Sequence, residues 1–417
     1  MDAVSHPGGG RLFLPGQAVS LFGDGLAVLA IPLLVLQSTH NPTAAALAAA
    51  PRTVGYLIAG LPAGPLVDRA DPWHVLIAAD AVRSAIFVAL FGLAATRVAP
   101  VGVILALAFA AGVAGVFFET ALAVAVRDVY RDRALVRTNS FLETASRTAL
   151  LIGPAAVGLL TAAVGLATAL LVDAATFLVS LATLWGTYRR MPRRVRHLAP
   201  MSWRLLRSEF RAGLRYLAAT SIMTALAVLQ VVTNFCLAVE TLIVFFARDY
   251  LGASAGSVGI VVAGAGVGGI LGAAIAPAIA FRFRPVPLCL LAVLLIGVAL
   301  AAAGLAPGIW WLAASNAVLV AADVLGGIVI RTLRQQIVPR EVLGRVTSTV
   351  RSVVLAAMPV GAVAAGLVTQ LADNNPRPVF LAAAALIWLS APVIWITGLH
   401  RHRGVPLYRP DRELVTP

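Results

Sequence analysis

Runs of roughly 20 mainly apolar residues recur along the chain, each closed by a polar gap, and a helix needs about that many to cross the hydrocarbon of a bilayer. Twelve such segments are predicted: 13–36, 44–67, 75–95, 101–126, 142–163 and 167–188, then 222–246, 258–280, 286–306, 309–330, 346–370 and 379–398. Between the sixth and the seventh the hydropathy drops. A basic stretch from Arg189 to Arg194 leads there into a run in which Leu205, Leu206, Phe210, Leu214 and Leu217 oppose Arg204, Arg207, Arg211 and Arg215 at helical spacing. That pattern predicts an amphipathic helix lying in the membrane interface. The expected organisation is a first six-helix bundle over 1–188, a basic linker with its amphipathic helix over 189–215, and a second six-helix bundle with a tail over 216–417.

Composition agrees with lipid as the solvent, because 60% of the residues are apolar and only 12% are charged, too little polar surface for a water-soluble domain of this size. All 32 basic residues are Arg, and 26 of them fall in the tails or in, or within a few residues of, one set of alternate gaps. The other gaps hold only Arg97, Arg248 and Arg377, while Arg52, Arg83 and Arg147 lie inside segments. Basic residues accumulate on the cytoplasmic side, so both termini are expected there. The net charge of +14 thereby marks a membrane face and gives no reason to expect nucleic acid as a partner. The first ten residues lack the basic start and small-residue cleavage pattern of a signal peptide, so none is expected to be removed.

The halves repeat. Val129-Tyr130-Arg131-Asp132 followed by Leu135, Arg137 and Ser140 parallels Val338-Pro339-Arg340-Glu341 followed by Leu343, Arg345 and Ser348, at an offset of 208 or 209. Each copy leads into a segment interrupted by proline, at Gly153-Pro154 with Gly158 and at Met358-Pro359 with Gly361. Duplicated six-helix halves follow from this. With these features the chain resembles the major facilitator superfamily from Arg11 to about Gly398. Gly64-Pro65-Leu66-Val67-Asp68-Arg69 is similar to the first half of that family's motif after the second helix, although Asp71, Pro72 and Trp73 replace its Gly and Arg pair. Gly153-Pro154 with Gly158 is similar to the motif of the family's antiporters. Ala114-Gly115-Val116-Phe117-Phe118-Glu119 and the paired turns Arg137–Ser140 and Arg345–Ser348 resemble the branch of macrolide-efflux and enterobactin exporters, although the antiporters' Arg in the fourth helix is missing.

The resemblance implies an all-α membrane protein of twelve helices in two pseudo-symmetric bundles around a central cavity. It also implies a monomeric secondary transporter in a bacterial plasma membrane, exporting a small amphipathic drug, siderophore or metabolite by proton antiport. A lysolipid flippase of the same fold and a non-transporting partner or sensor are the alternatives. Charges within a bilayer are costly and mark ion or substrate paths. Asp24, Glu119, Glu240 and Asp323 are therefore the candidates for proton coupling, Glu119 and Asp323 standing at matching depths, eight residues before Arg127 and Arg331. Glu240 also has Arg248 as a nearby partner in sequence, and Arg52 is a candidate for binding an anionic group or neutralising Asp24. Glu143 and Arg147, four apart, are expected to pair on one helix face. Asp68, Arg69, Asp80 and Arg83 are expected to form a cytoplasmic gate latch. Asp173, Asn234 and Asn316 receive no role.

Other chemistry is excluded or unsupported. With no Lys, the chain cannot form the phosphate-binding loop of an ATP-driven pump or a Schiff-base enzyme. The six His are dispersed, and Cys236 and Cys289 lie within segments without metal-ligand spacing, so no cofactor, no metal and no enzyme activity are expected.

Overall fold

A computed structural model describes residues 10–40, 48, 50–96, 100–190 and 203–404. Each predicted apolar run becomes a helix, because in lipid only a helix satisfies all backbone groups within one segment. The first bundle comprises α1 (Gly10–Thr39), α2 (Ala50–Arg69), α3 (Pro72–Thr96), α4 (Val101–Val129), α5 (Asp132–Val164) and α6 (Leu166–Tyr188). After the amphipathic α7 (Trp203–Ala219) comes the second, of α8 (Ser221–Leu237), α9 (Ala255–Arg282), α10 (Pro285–Gly304), α11 (Ile309–Ile337), α12 (Leu343–Leu371) and α13 (Arg377–Ile394). Among the described residues, eleven helices are long and apolar enough to cross a membrane, and the less apolar, proline-containing α2 makes the twelfth.

The sequence signals at several helix ends do what their chemistry predicts. Pro72 and Pro285 start α3 and α10, where a missing N–H costs nothing. Asp71 accepts a hydrogen bond from the Trp73 amide at 3.0 Å, so the residues that depart from the family motif cap and begin α3. Gly165, at φ +86°, turns the chain between α5 and α6 in a conformation that disfavours a side chain.

The helices differ from the sequence reading in two respects. Helices α5 and α12 run without a break through Pro154 and Pro359, where interruptions were expected. Irregularity falls instead on α8, which tightens to a 3₁₀ turn at Ala238–Leu242, resumes at Ile243–Phe245 and widens to a π-turn at Phe246–Tyr250, and on α13, which passes into a π-turn at Trp395–Leu399 and a 3₁₀ turn at His400–His402. No proline or glycine lies between Ala238 and Tyr250, so packing imposes the change, as α12 brings Gly361 against the Phe235 carbonyl.

Packing between helices relies on small residues, since lipid offers no hydrophobic gain for bringing two helices together. On α9, Gly264, Gly268 and Gly272 lie against the backbone of Ala313, Ala317 and Ala321 on α11. Gly153 on α5 lies against the backbone of Gly25 on α1, which gives the antiporter-like Gly-Pro pair a packing role, whereas Gly158 has open space around it. The two bundles meet where α2 packs on α12 and α5 on α9. Helix α7 packs on α2 and α12, with Arg207, Arg211 and Arg215 exposed and Leu217 buried. The residues joining α6 to α7, 191–202, lie outside the described ones.

Candidate functional site: a charged cavity between the bundles

A cavity of about 520 Å³ lies between the bundles, lined from α1, α3, α4 and α5 on one side and α8, α11 and α12 on the other. Five arginines reach its wall: Arg83, Arg147, Arg331, Arg334 and Arg351. So do Asp24, Glu119 and Glu143, together with Phe118, Asn139, Gln230, Asn234 and Gln335.

Arg83 is the most enclosed of these cations. Its guanidinium lies between the rings of Phe118 and Phe177, at 4.1 and 4.4 Å from their centroids, and pairs with the fully buried Asp80 and, at 3.2 Å, with Asp24. An arginine at this depth is tolerated because both carboxylates and the ring faces replace its water. The expected four-residue latch is therefore two separate devices. Asp80 and Arg83 belong to the cavity and to Asp24, whereas Asp68 sits at the far end of α2, where its carboxylate accepts from the Gly344 and Arg345 amides at 2.7 and 2.8 Å and from Arg345 Nε at 3.2 Å. These amides open α12, so the carboxylate also meets the positive end of a helix. Arg69, beside Asp68, is half-buried at the end of α2.

The contacts around Asp68 belong to a seal across the basic end of the molecule. Arg127 donates to the Val338 carbonyl and Arg340 pairs with Asp128, joining the repeated turns to one another. One layer further in, Asn139 Nδ2 donates to Thr332 and Gln335, at 2.9 and 2.6 Å, and Gln335 Nε2 donates to the Ala123 carbonyl at 2.9 Å. Above that layer, Glu143 binds Arg147 at 3.0 Å, as their spacing predicts, and also Arg331 of the other bundle at 3.2 Å, while Glu119 pairs with Arg351. Glu143 and Arg351 stand 208 residues apart, at the offset of the repeat, with opposite charge, and each reaches across to a helix of the opposite bundle.

The remaining acids are placed differently. Glu240, in the 3₁₀ turn, is an electrostatic neighbour of Asp323 and of Arg147, not of Arg248 as its position in sequence suggests. Asp323 lines a small pocket beside the cavity with Gln230, Asn234 and Gly327. Among the described residues, neither carboxylate has an ion-pair partner. Glu119 and Asp323, expected as a matched pair, thus differ: one is neutralised across the bundle interface and the other is not. The side chain of Arg52 lies outside the described residues, and with it the partnership with Asp24 expected of it; among the described residues Arg83 pairs with Asp24. Asp173 is buried in α6, Asn316 donates to the Val261 carbonyl at 3.2 Å, and Asn234 faces the cavity.

Sequence reasoning missed Arg331, Arg334 and Arg351 as site residues, because they were counted with the basic gap used for orientation. Helix α11 runs seven residues beyond its predicted end, which carries Arg331 and Arg334 onto a membrane helix that faces the cavity. Arg351 falls within the predicted eleventh segment itself, so its position in a helix was legible although its role was not. Spacing was a usable signal for the other two, since Arg331, Arg334 and Gln335 stand three and four apart and so share one helix face.

Comparisons with known proteins agree with this architecture. A 166-residue stretch is 31% identical to "Multidrug efflux pump Tap" of Mycobacterium tuberculosis and of Mycobacterium bovis, covering 38% of this chain and 39% of the relative, so the match spans about two fifths of that protein's length. A bacterial homologue of the iron transporter ferroportin, solved in an outward-facing state, superposes with a TM-score of 0.72 at 17% identity over 93% of this chain and 98% of the other. The Escherichia coli fucose:proton symporter FucP superposes with a TM-score of 0.69 at 14% identity over 92% of this chain and 97% of the other. Residues 15–403 match the family described as transmembrane secretion effector, and with twelve helices in two bundles the chain belongs to that family of major facilitator superfamily transporters.

Proposed function

We propose that the chain is a secondary exporter that moves small amphipathic organic molecules across the bacterial plasma membrane in exchange for protons, by alternately opening the two ends of its central cavity. The observation that carries this reading is the cavity between two bundles, closed toward the basic end by polar contacts between them. Such contacts can be exchanged for water as the bundles rock, unlike a fused apolar core. With the basic end cytoplasmic, as the arginine distribution argues, the described state is closed to the cytoplasm. A relative carrying the name of a multidrug efflux pump favours export.

Proton coupling needs a carboxylate whose neutralisation changes between states. Asp24 and Glu119 have arginine partners here, Arg83 and Arg351, whereas Glu240 and Asp323 face one another without one. A proton is the counterion left to these two, which makes them the first choice as carriers, with Asp24 second because its arginine is shared with Asp80. The test uses proteoliposomes containing a pH-sensitive dye and a panel of macrolides, siderophores and lysolipids, with wild type, Asp24→Asn and Asp323→Asn in parallel. Substrate-evoked proton movement that disappears in Asp323→Asn is the expected result. Substrate flux that a protonophore leaves unchanged defeats antiport, and flux confined to lysolipids favours a flippase.

A further inference from the structure

Resting on the exporter reading, and deepening it, we propose that Arg334 is the headgroup site of the cavity and that the transported molecule carries an anionic oxyacid group, a carboxylate or a phosphate, on an apolar body. The case begins with pairing. Of the five cavity arginines, Arg83 is held by Asp24 and Asp80, Arg147 and Arg331 share Glu143, and Arg351 holds Glu119. Arg334 has no carboxylate partner among the described residues. Its guanidinium makes one hydrogen bond, from Nη2 to Gln230 Oε1 at 2.6 Å, which uses one of five donors.

Position excludes the two acids that also lack partners. Asp323 stands eleven residues before Arg334 on α11, about 16 Å along the helix at 1.5 Å per residue, and its electrostatic neighbours are Arg147, Glu143 and Arg331. Glu240 has Asp323 and Arg147 as its neighbours. The charge facing Arg334 is the like charge of Arg331. A half-buried arginine beside a second cation, in a membrane protein, lacks its counterion until something brings one. A planar guanidinium with free donors matches two oxygens of a carboxylate or phosphate, a geometry that an ammonium or a hydroxyl does not use. The adjoining wall supplies the place for an apolar body, through Leu122, Val126, Leu142, Val350 and Val354.

The test compares two probes of one fluorescent body and opposite head, dansylglycine and dansylcadaverine, on the full chain in nanodiscs of neutral phosphatidylcholine. Wild type is expected to bind dansylglycine saturably and more tightly than dansylcadaverine. Arg334→Gln is expected to weaken dansylglycine about tenfold or more, the scale of losing hydrogen bonds to a charged group, and to leave dansylcadaverine unchanged, with part of the affinity restored in Arg334→Lys. Decanoate and decyl phosphate as competitors tell carboxylate from phosphate, and competition by neither overturns the proposal. Equal wild-type affinity for both heads also overturns it, without any variant having to fold. Equal weakening of both probes in Arg334→Gln assigns the residue to packing alone. Because the readout is binding, anion preference without flux defeats the exporter reading only, and proton-coupled flux without anion preference defeats the headgroup assignment only.

Discussion

At the residue scale, the cavity is organised by how each arginine is neutralised. Arg83 illustrates the strongest case, with Asp80 wholly buried behind it and two aromatic faces around it. Removing the cation strands a buried carboxylate, so Arg83→Ala is expected to cost about 3–5 kcal/mol of stability, read as a lower unfolding temperature in nanodiscs. Arg83→Ala combined with Asp80→Ala should recover much of that loss, and a double variant no more stable than the single one would remove the pairing argument. Sequence alone placed Arg83 in a helix and Asp80 three residues before it, which is enough to propose a pair. It could not supply Asp24, 59 residues away, or the rings of Phe118 and Phe177, because these arrive only when α1, α4 and α6 pack around α3. The same limit explains Glu240, whose nearest cation along the chain is Arg248 but whose neighbours in space are Asp323 and Arg147.

At the element scale, helices were legible from apolar length, and their irregularities were not. Prolines in α5 and α12 looked like breaks, yet both helices continue through them, while α8 changes hydrogen-bonding pattern where its sequence carries no breaker. Glycines show the same division between what a chain displays and what packing decides. Gly268 of α9 has the Ala317 backbone where a side chain would go, but Gly259 of the same helix has open space. Gly268→Val is expected to destabilise the second bundle by about 1–3 kcal/mol through enforced separation of α9 from α11. Gly259→Ala is expected to be neutral or to stabilise by about 1 kcal/mol, since alanine is the better helix former. Thermal unfolding of the two variants side by side checks the assignment, and equal losses would contradict it.

At the scale of the whole molecule, two bundles are joined at the basic end by residues of the repeated turns and of α2. Asp68 receives two amides and a guanidinium from the start of α12, which makes it a multiple acceptor in that seal. Asp68→Ala is expected to favour opening of this end about tenfold or more, the loss of charge-assisted hydrogen bonds, seen as faster maleimide labelling of a cysteine placed at Ser348. Ser348 is buried against Gly64, so its labelling reports separation of α2 from α12. Unchanged labelling would mean that Asp68 holds a local fold and not the closure. The sequence by itself determined that the chain is a twelve-helix membrane protein with duplicated halves, because apolar run length, arginine distribution and repeated turns are local or periodic properties that survive without coordinates. Tertiary structure decided which charges meet. Pairing depends on which face each helix turns inward and on where its ends fall. Two turns of extra helix were enough to move Arg331 and Arg334 from an expected loop to the cavity wall, and the packing of α12 against the first bundle turned Arg351 toward Glu119.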